Sequence, residues 1–213
     1  MVDSHYGTIA VQTPDGEYQH VLSEYNNRQE AAKLMASVKL DIIKFLAHLK
    51  TKYHIDETDD QIAAEGDLHR QIVAGNDTAV DIHKIIDALL DNYNYERIFE
   101  NRPGGLKSET SVTINKGEKM YYCMRDIKNK NKLIDKNTLM FVILHEISHI
   151  ANYNGWDHTD RFWTVFAFIL HEAVEFGIYT PVDYKAHPIN YCGLDIGHSP
   201  YYDETIRKLW LEV

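Results

Sequence analysis

A continuous apolar run that leads directly into a pair of histidines is the feature that most constrains the fold. Leu139–Leu144 is apolar at every position, and His145-Glu-Ile-Ser-His149 follows without a break. Asp135 or Asn137 can cap the start of a helix here, and the turn formers of Asn152–Gly155 favour its end. A helix that is apolar around its whole circumference must be covered on several sides. The sequence therefore predicts a central, buried helix that carries both histidines.

The spacing of these two histidines indicates a metal site. Four residues apart on a helix, both imidazoles lie on one face and can share a Zn²⁺, while Glu146 can take a proton from water at the metal. A catalytic zinc takes three protein ligands and leaves one position open. His158 follows the predicted break, in the turn before another helix predicted from about Thr159 to Phe176. We therefore predict His145, His149 and His158 as ligands.

Other interpretations of this region stay open at the level of sequence. Four carboxylates can replace His158 as the third ligand: Asp157, Asp160, Glu172 and Glu175. The motif can also be an ordinary amphipathic helix with paired surface histidines, or a site that binds metal without catalysis.

Further polar residues near the motif are candidates for supporting roles. His171 lies beside the apolar stripe of the helix after His158 and is predicted to pack there. His187 and His198 lie in the tail beyond Pro181, which has to pack somewhere and can approach the cleft. A reaction at a carbonyl also needs a donor for the developing oxyanion. The candidates for that donor are Arg161, Tyr153 and Tyr191.

The first half of the chain is predicted to form a hairpin and helices. Thr8–Gln12 and Glu17–Leu22 flank a Thr-Pro-Asp-Gly turn, which indicates a β-hairpin. A 3.6-residue apolar period predicts a helix from a cap at Asn26 or Asn27 to about Tyr53, and Val80–Leu90 has the same pattern. The polar stretch 55–80 between them is predicted to be a loop or a short exposed helix.

The second half begins after a cluster of turn-forming residues. Asn101–Gly105 contains proline and two glycines, so we place a boundary between a segment 1–104 and a segment 105–213. Thr110–Ile114 and Lys119–Arg125 are predicted strands, and the second is either an edge strand that pairs with an extended peptide or part of a structural hairpin. The tail beyond Pro181 is predicted to be irregular, with a short helix at 204–211. Helices with a small antiparallel sheet give the fold class α+β.

Charge and composition exclude several classes of protein. The 213 residues carry a net charge of −10, which disfavours direct nucleic-acid binding. The basic cluster between Arg125 and Lys136 is predicted to be a solvated loop, or else a docking patch for an acidic partner or nucleic acid. Cys123 and Cys192 are expected as two separate thiols in a reducing compartment, with Cys123 in the core.

The chain also lacks the sequence signals of membrane insertion and secretion. No apolar run approaches the roughly 20 residues needed to span a bilayer. The first residues have neither a basic nor an apolar signal-peptide region. We therefore expect no membrane association and a location inside the cell, in cytoplasm or nucleus, or in a virion.

The motif and its surroundings resemble the minimal zincin metallopeptidases of the WLM and SprT-like group. In that group HExxH is followed by a short loop, a histidine and an aromatic pair, as in His145–His149, His158 and Phe162-Trp163 here. The resemblance covers about residues 105–200 and is greatest to WLM-like proteins of large DNA viruses, which share a tail like Tyr191-Cys-Gly193.

This resemblance implies a zincin-like core in segment 105–213 with a helical N-terminal extension. It also implies a zinc metallopeptidase in which His145, His149 and His158 hold the zinc and Glu146 is the general base. The substrate would be a protein or peptide. The alternatives are a structural or virion-assembly protein that keeps the fold without proteolysis, and a zinc hydrolase with a different substrate.

Overall fold

A computed structural model describes residues 7–53, 71–74, 78–103, 110–153, 155 and 157–206. Within these residues the chain is a mixture of helices and short strands, which confirms the α+β class. The helices are α1 (Arg28–Lys52), α2 (Ile82–Asn92), α3 (Lys136–Ala151) and α4 (Asp160–Phe176). The strands are β1 (Thr8–Gln12), β2 (Tyr18–Leu22), β3 (Gln71–Ala74), β4 (Thr78–Asp81), β5 (Ile98–Asn101), β6 (Val112–Ile114), β7 (Lys119–Cys123), β8 (Ile189–Tyr191) and β9 (Leu194–Ile196).

Five of the strands form one mixed sheet in the order β1-β2-β5-β7-β6. The hairpin β1-β2 and the pair β6-β7 are antiparallel, whereas β5 lies parallel to both β2 and β7, so the expectation of an antiparallel sheet is wrong for these two pairings. Because β7 pairs on both sides, the edge-strand alternative for residues 119–125 is wrong, and the alternative of a structural hairpin is confirmed by the antiparallel pairing of β7 with β6. The two edge strands are β1 and β6, and residues Val112 and Ile114 of β6 pair with Tyr121 and Lys119 of β7.

The sheet takes strands from both sides of the break after residue 101. β1, β2 and β5 precede it, and β6 and β7 follow it. The hydrophobic core is shared in the same way, since buried residues of α1 and α2 cluster with those of α3 and α4. Residues 1–104 and 105–213 are thus joined by a common sheet and a common core.

Two regions contain more regular structure than the sequence predicted. In the stretch predicted as a loop or exposed helix, Gln71–Ala74 and Thr78–Asp81 pair as an antiparallel hairpin. The rest of residues 55–77 lies outside the described residues. The tail was expected to be irregular, but Ile189–Tyr191 and Leu194–Ile196 form a second hairpin. Of the helix predicted at 204–211, residues 204–206 are helical and the others lie outside the described residues.

Helix α3 lies at the centre of the fold, as predicted. Every residue of Leu139–Leu144 is buried, and α3 packs against α2, α4 and β6. The side chain of Asp135 accepts a hydrogen bond from the Thr138 N–H at 2.9 Å and caps the N-terminus. Helix α4 ends at Gly177, whose φ of +88° suits a residue without a Cβ. None of the described helices combines the length and the apolar character that a membrane crossing requires.

Arg125 does not belong to a solvated basic loop, and this expectation is wrong for that residue. Its side chain is fully buried, and its Nε donates to Glu100 Oε1 at 2.6 Å. The guanidinium also lies 4.1 Å from the centre of the Tyr25 ring. Burial of a cation is tolerated here because a carboxylate compensates its charge.

The expectation of two separate thiols is also wrong. Cys123, at the end of β7, and Cys192, in the β8-β9 turn, are joined by a disulfide. Cys123 is fully buried, as predicted. The bond attaches the β8-β9 hairpin to the central sheet, although the two cysteines lie far apart in the sequence.

Candidate metal centre

The three histidines predicted as metal ligands converge at one point. The Nε2 atom of His145 lies 3.3 Å from that of His149 and 3.0 Å from that of His158. One ring nitrogen from each histidine lies within 4.8 Å of the other two, and this is the one such cluster of three His, Cys, Asp or Glu side chains in the described part of the chain. His145 and His149 come from consecutive turns of α3, while His158 precedes α4.

These distances fit a tetrahedral zinc ion. Zn–N bonds of about 2.0–2.1 Å place two nitrogen ligands of a tetrahedron about 3.3–3.4 Å apart. The two Nε2–Nε2 separations from His145 are close to that value. Three imidazoles also suit Zn²⁺ as donors and leave a fourth position open, which is the pattern of catalytic sites.

One aromatic residue at the start of α4 packs against all three imidazoles. The Phe162 ring is stacked on His149 at a centroid distance of 4.4 Å and lies edge-on to His158 at 4.7 Å and to His145 at 5.0 Å. Phe166, one turn further, meets the His145 ring at 5.2 Å. These contacts hold the rings in their orientations, and they give a structural role to Phe162, the first residue of the aromatic pair that follows the third histidine.

The same packing keeps two of the histidines uncharged. Burial, reinforced by neighbouring His149 and His158, lowers the pKa of His145 to about 3. Burial also lowers the pKa of His158, although the carboxylate of Asp157 opposes that effect. Because a metal binds the neutral imidazole, both effects favour ligation at neutral pH.

Glu146 lies beside the histidines and is held by the edge strand. The Thr113 hydroxyl on β6 is 2.9 Å from Glu146 Oε2 and 3.2 Å from the Glu146 backbone oxygen, and it donates to both. Glu146 is only 6% exposed, and it lines a cavity together with the three histidines. Glu146 therefore borders the same cavity as the three histidines.

The cavity has a volume of about 570 Å³ and mixed walls. Residues 110–113, which lead into and begin the edge strand β6, form one wall, and apolar side chains of α3 and α4 form another, among them Phe141, Trp163 and Phe166. β9 and the residues that follow it also line the cavity, including Leu194 and His198. The site is thus open to a ligand much larger than water.

Other predicted site residues have different positions. His198 lines the cavity with its ring 5.4 Å from Trp163, whereas His187 is not among the lining residues that the structure describes. His171 packs on Tyr201 at 4.3 Å, so the prediction of a packed histidine is confirmed.

The alternative third ligands are engaged elsewhere or lie outside the cluster. Glu172 and Glu175 both accept from Lys52 Nζ at 2.8 Å, and Glu172 also accepts from Tyr53. Asp157 and Asp160 do not belong to the histidine cluster of the described residues.

Of the three candidate oxyanion donors, only Tyr191 lines the cavity in the described part of the chain. Its hydroxyl donates to the Cys123 backbone oxygen at 2.5 Å and lies 2.8 Å from Ser111 Oγ. Arg161 instead donates to Asn152 Oδ1 at 3.1 Å and lies over the Tyr153 ring. The Tyr191 hydroxyl therefore fixes the β8-β9 hairpin to β7, and its hydrogen is already donated to the Cys123 backbone oxygen.

Two residues of the site carry no local sequence signal. Thr113 and Lys116 belong to the β6 strand and the turn that follows it, and nothing in their sequence neighbourhood marks them as partners of α3. The Thr113 hydroxyl reaches Glu146, and Lys116 Nζ reaches the C-terminal end of α3. Only the pairing that places β6 at the sheet edge beside α3 brings them there.

The chain is similar to several viral proteins. It is 38% identical over 111 residues to an uncharacterized protein of Acanthamoeba polyphaga mimivirus, a match that covers 52% of this chain and 51% of the relative. It is 39% identical over 89 residues to an uncharacterized protein of Invertebrate iridescent virus 3, covering 42% of this chain and 53% of the relative. The chain therefore spans about half the length of these relatives. Neither a family model nor a solved structure matches it.

Proposed function

We propose that the protein is a zinc-dependent metallopeptidase with a zincin-like core. The observation that carries the proposal is the convergence of three imidazole nitrogens beside a buried glutamate at the wall of a cavity. A site that only stabilises the fold would prefer four protein ligands. Here the three histidines leave a position open, and the cavity adjoins them.

The ligands would be His145, His149 and His158. Zinc bound there would supply a Lewis acid that polarises a carbonyl oxygen and makes water nucleophilic near neutral pH. Glu146 takes the proton of the attacking water and returns it to the leaving amine. The Thr113 hydrogen bond orients the carboxylate, so that less reorganisation is needed when the proton is transferred.

The substrate would bind as an extended peptide along β6. This strand is at the edge of the sheet and lines the cavity, so its backbone groups are placed to pair with a peptide. The apolar wall of Phe141, Trp163 and Phe166 favours an aromatic or aliphatic substrate side chain next to the cleaved bond.

The test combines zinc content with peptide hydrolysis. Protein purified without added metal is analysed for zinc as wild type, His158→Ala and Glu146→Gln, with His187→Ala as a control outside the cluster. Hydrolysis is followed with a library of quenched fluorescent peptides. We expect one zinc per chain in the wild type, Glu146→Gln and His187→Ala, weakened but measurable zinc binding in His158→Ala, and hydrolysis only by the wild type and His187→Ala.

Two results would contradict the proposal. A wild type that binds no zinc even after reconstitution would overturn both the metal site and the activity. A wild type that binds zinc but hydrolyses no peptide would instead favour the structural or assembly role.

A further inference from the structure

Lys116 lies in a turn that the fold holds rigidly. The turn, Asn115–Gly117, joins β6 to β7, and Lys116 has a left-handed backbone conformation with φ of +56°. A Cβ on Gly117 would lie 2.3 Å from the backbone oxygen of Asn92 and 2.9 Å from Ile150 Cδ1. The turn is therefore wedged between the end of α2 and a side chain of α3, which fixes the origin of the Lys116 side chain.

From this turn the Lys116 ammonium reaches the C-terminal end of the metal-binding helix. Its Nζ donates to the backbone oxygens of His149 at 2.8 Å and Asn152 at 2.6 Å, and to that of Gly155. The last carbonyls of a helix have no partner within the helix and form the negative end of its dipole. An ammonium has three hydrogens to donate, and these three carbonyls match that number.

These three acceptors follow the chain from the second ligand toward the third. His149 is itself a ligand, Asn152 ends α3, and Gly155 lies in the turn that leads to His158. The start of this turn is also attached to α4, because Arg161 Nε on α4 donates to the side-chain oxygen Oδ1 of Asn152. His158 is the most exposed of the three histidines and does not belong to a helix, so its position depends on this turn.

We propose that Lys116 is a positioning residue that places His158 against His145 and His149. The inference rests on the proposed zinc site. Without the ammonium, three carbonyls lose their shared donor and the turn between the ligands can relax. The third ligand would then have to be ordered when metal binds, and that cost lowers the affinity.

The test is a double-mutant cycle on zinc affinity. Lys116→Met keeps the length of the side chain and removes the three donors. Zinc affinity is measured by competition with a chromophoric chelator for the wild type, Lys116→Met, His158→Ala and the double variant. The matched control is Lys136→Met at the opposite end of α3, where Nζ pairs with Asp41 at 2.7 Å. Circular dichroism checks that each variant is folded.

We expect Lys116→Met to weaken zinc binding by about 10- to 100-fold, the range typical for residues that orient ligands. In the His158→Ala background the same substitution should have little effect, because Lys116 acts through His158. The visible absorption of the Co²⁺-substituted protein should change in Lys116→Met but not in Lys136→Met. Lys116→Arg keeps the charge and should lose less affinity, and it serves as the test if Lys116→Met does not fold.

Each contrary result identifies what has failed. If Lys116→Met binds zinc like the wild type, the inference is wrong and the proposed function stands. If it loses the same affinity with and without His158, Lys116 acts on general stability and the inference is again wrong. A wild type that binds no zinc overturns the proposed function together with the inference.

Discussion

Replacing Arg125 with methionine should destabilise the protein strongly, because the guanidinium compensates a buried charge. Arg125 and Glu100 are both 0% exposed, and their side chains meet at 2.6 Å between Nε and Oε1. The guanidinium also donates to Asn27 Oδ1 at 2.5 Å and to the Lys130 backbone oxygen at 3.0 Å. The pair thus connects β5, the loop after β7 and the start of α1.

The size of the expected loss of stability follows from the buried carboxylate that Arg125→Met leaves without its cation. Glu100 would keep the Leu22 N–H as a donor at 2.7 Å, and its carboxylate would remain buried without a cation. Breaking a buried ion pair by removing one partner costs about 3–5 kcal/mol. We therefore expect the free energy of unfolding to fall by that amount. The double variant Arg125→Met/Glu100→Gln should lose less, because it has no uncompensated charge.

Urea denaturation followed by circular dichroism measures these differences. Lys128→Met, in the exposed part of the same basic loop, is the control and should change stability by less than about 0.5 kcal/mol. A loss below about 1 kcal/mol in Arg125→Met, or a double variant less stable than the single one, would refute the role assigned to the pair.

Three further predictions concern the disulfide, one turn and the acid sensitivity of the site. Reduction of the Cys123–Cys192 bond, which closes a loop of 69 residues, should lower the free energy of unfolding by up to about 4 kcal/mol in urea denaturation. A Cys192→Ser variant whose free energy of unfolding still falls when reductant is added would contradict this prediction. Gly117→Ala should lower the melting temperature more than Gly16→Ala. Both glycines have a positive φ, but only at Gly117 would the new Cβ meet a backbone oxygen. Equal decreases in melting temperature would refute the steric argument. His145 by itself should make the metal-free protein lose about 2–3 kcal/mol of stability between about pH 7.5 and 4.5. Its pKa is about 6.5 in the unfolded state and about 3 in the folded state, so only the unfolded state gains this proton in that window. A His145→Gln variant measured with chelator present should lose that part of the pH dependence, and an unchanged slope would exclude His145 as its source.

The helices and the histidine cluster could be predicted because their signals are local. An apolar run, a cap at Asp135 and a break at Asn152 define α3, and a spacing of four residues puts His145 and His149 on one of its faces. The break also requires the chain to turn before the next helix, so His158 is delivered close to the other two. In each case the relevant residues lie within a few turns of one another along the chain.

The sheet order and the contacts that complete the site depend on tertiary structure. The pattern of Lys119–Cys123 predicts a strand but does not distinguish an inner strand from an edge strand, because its neighbours come from distant segments. The disulfide joins cysteines from two different hairpins. The sequence around Arg125 has the composition of a surface loop, and only packing against Glu100 makes Arg125 a buried cation.

The residues of the candidate site also fall into those that local sequence signals predict and those that only the tertiary structure brings together. The sequence by itself determined that His145, Glu146 and His149 share one helix and that the two histidines lie on one face of it, since a helix repeats its faces every 3.6 residues whatever surrounds it. It predicted His158 as the third member of the cluster but left four carboxylates as alternatives. The tertiary structure alone decided that Thr113 would hold Glu146, that Lys116 would hold the turn before His158, and that β6 would border the cavity. These contacts join segments more than thirty residues apart, as the separation of 33 between Thr113 and Glu146 shows. No local preference of the backbone specifies such a pairing, which is chosen by the burial of the whole core.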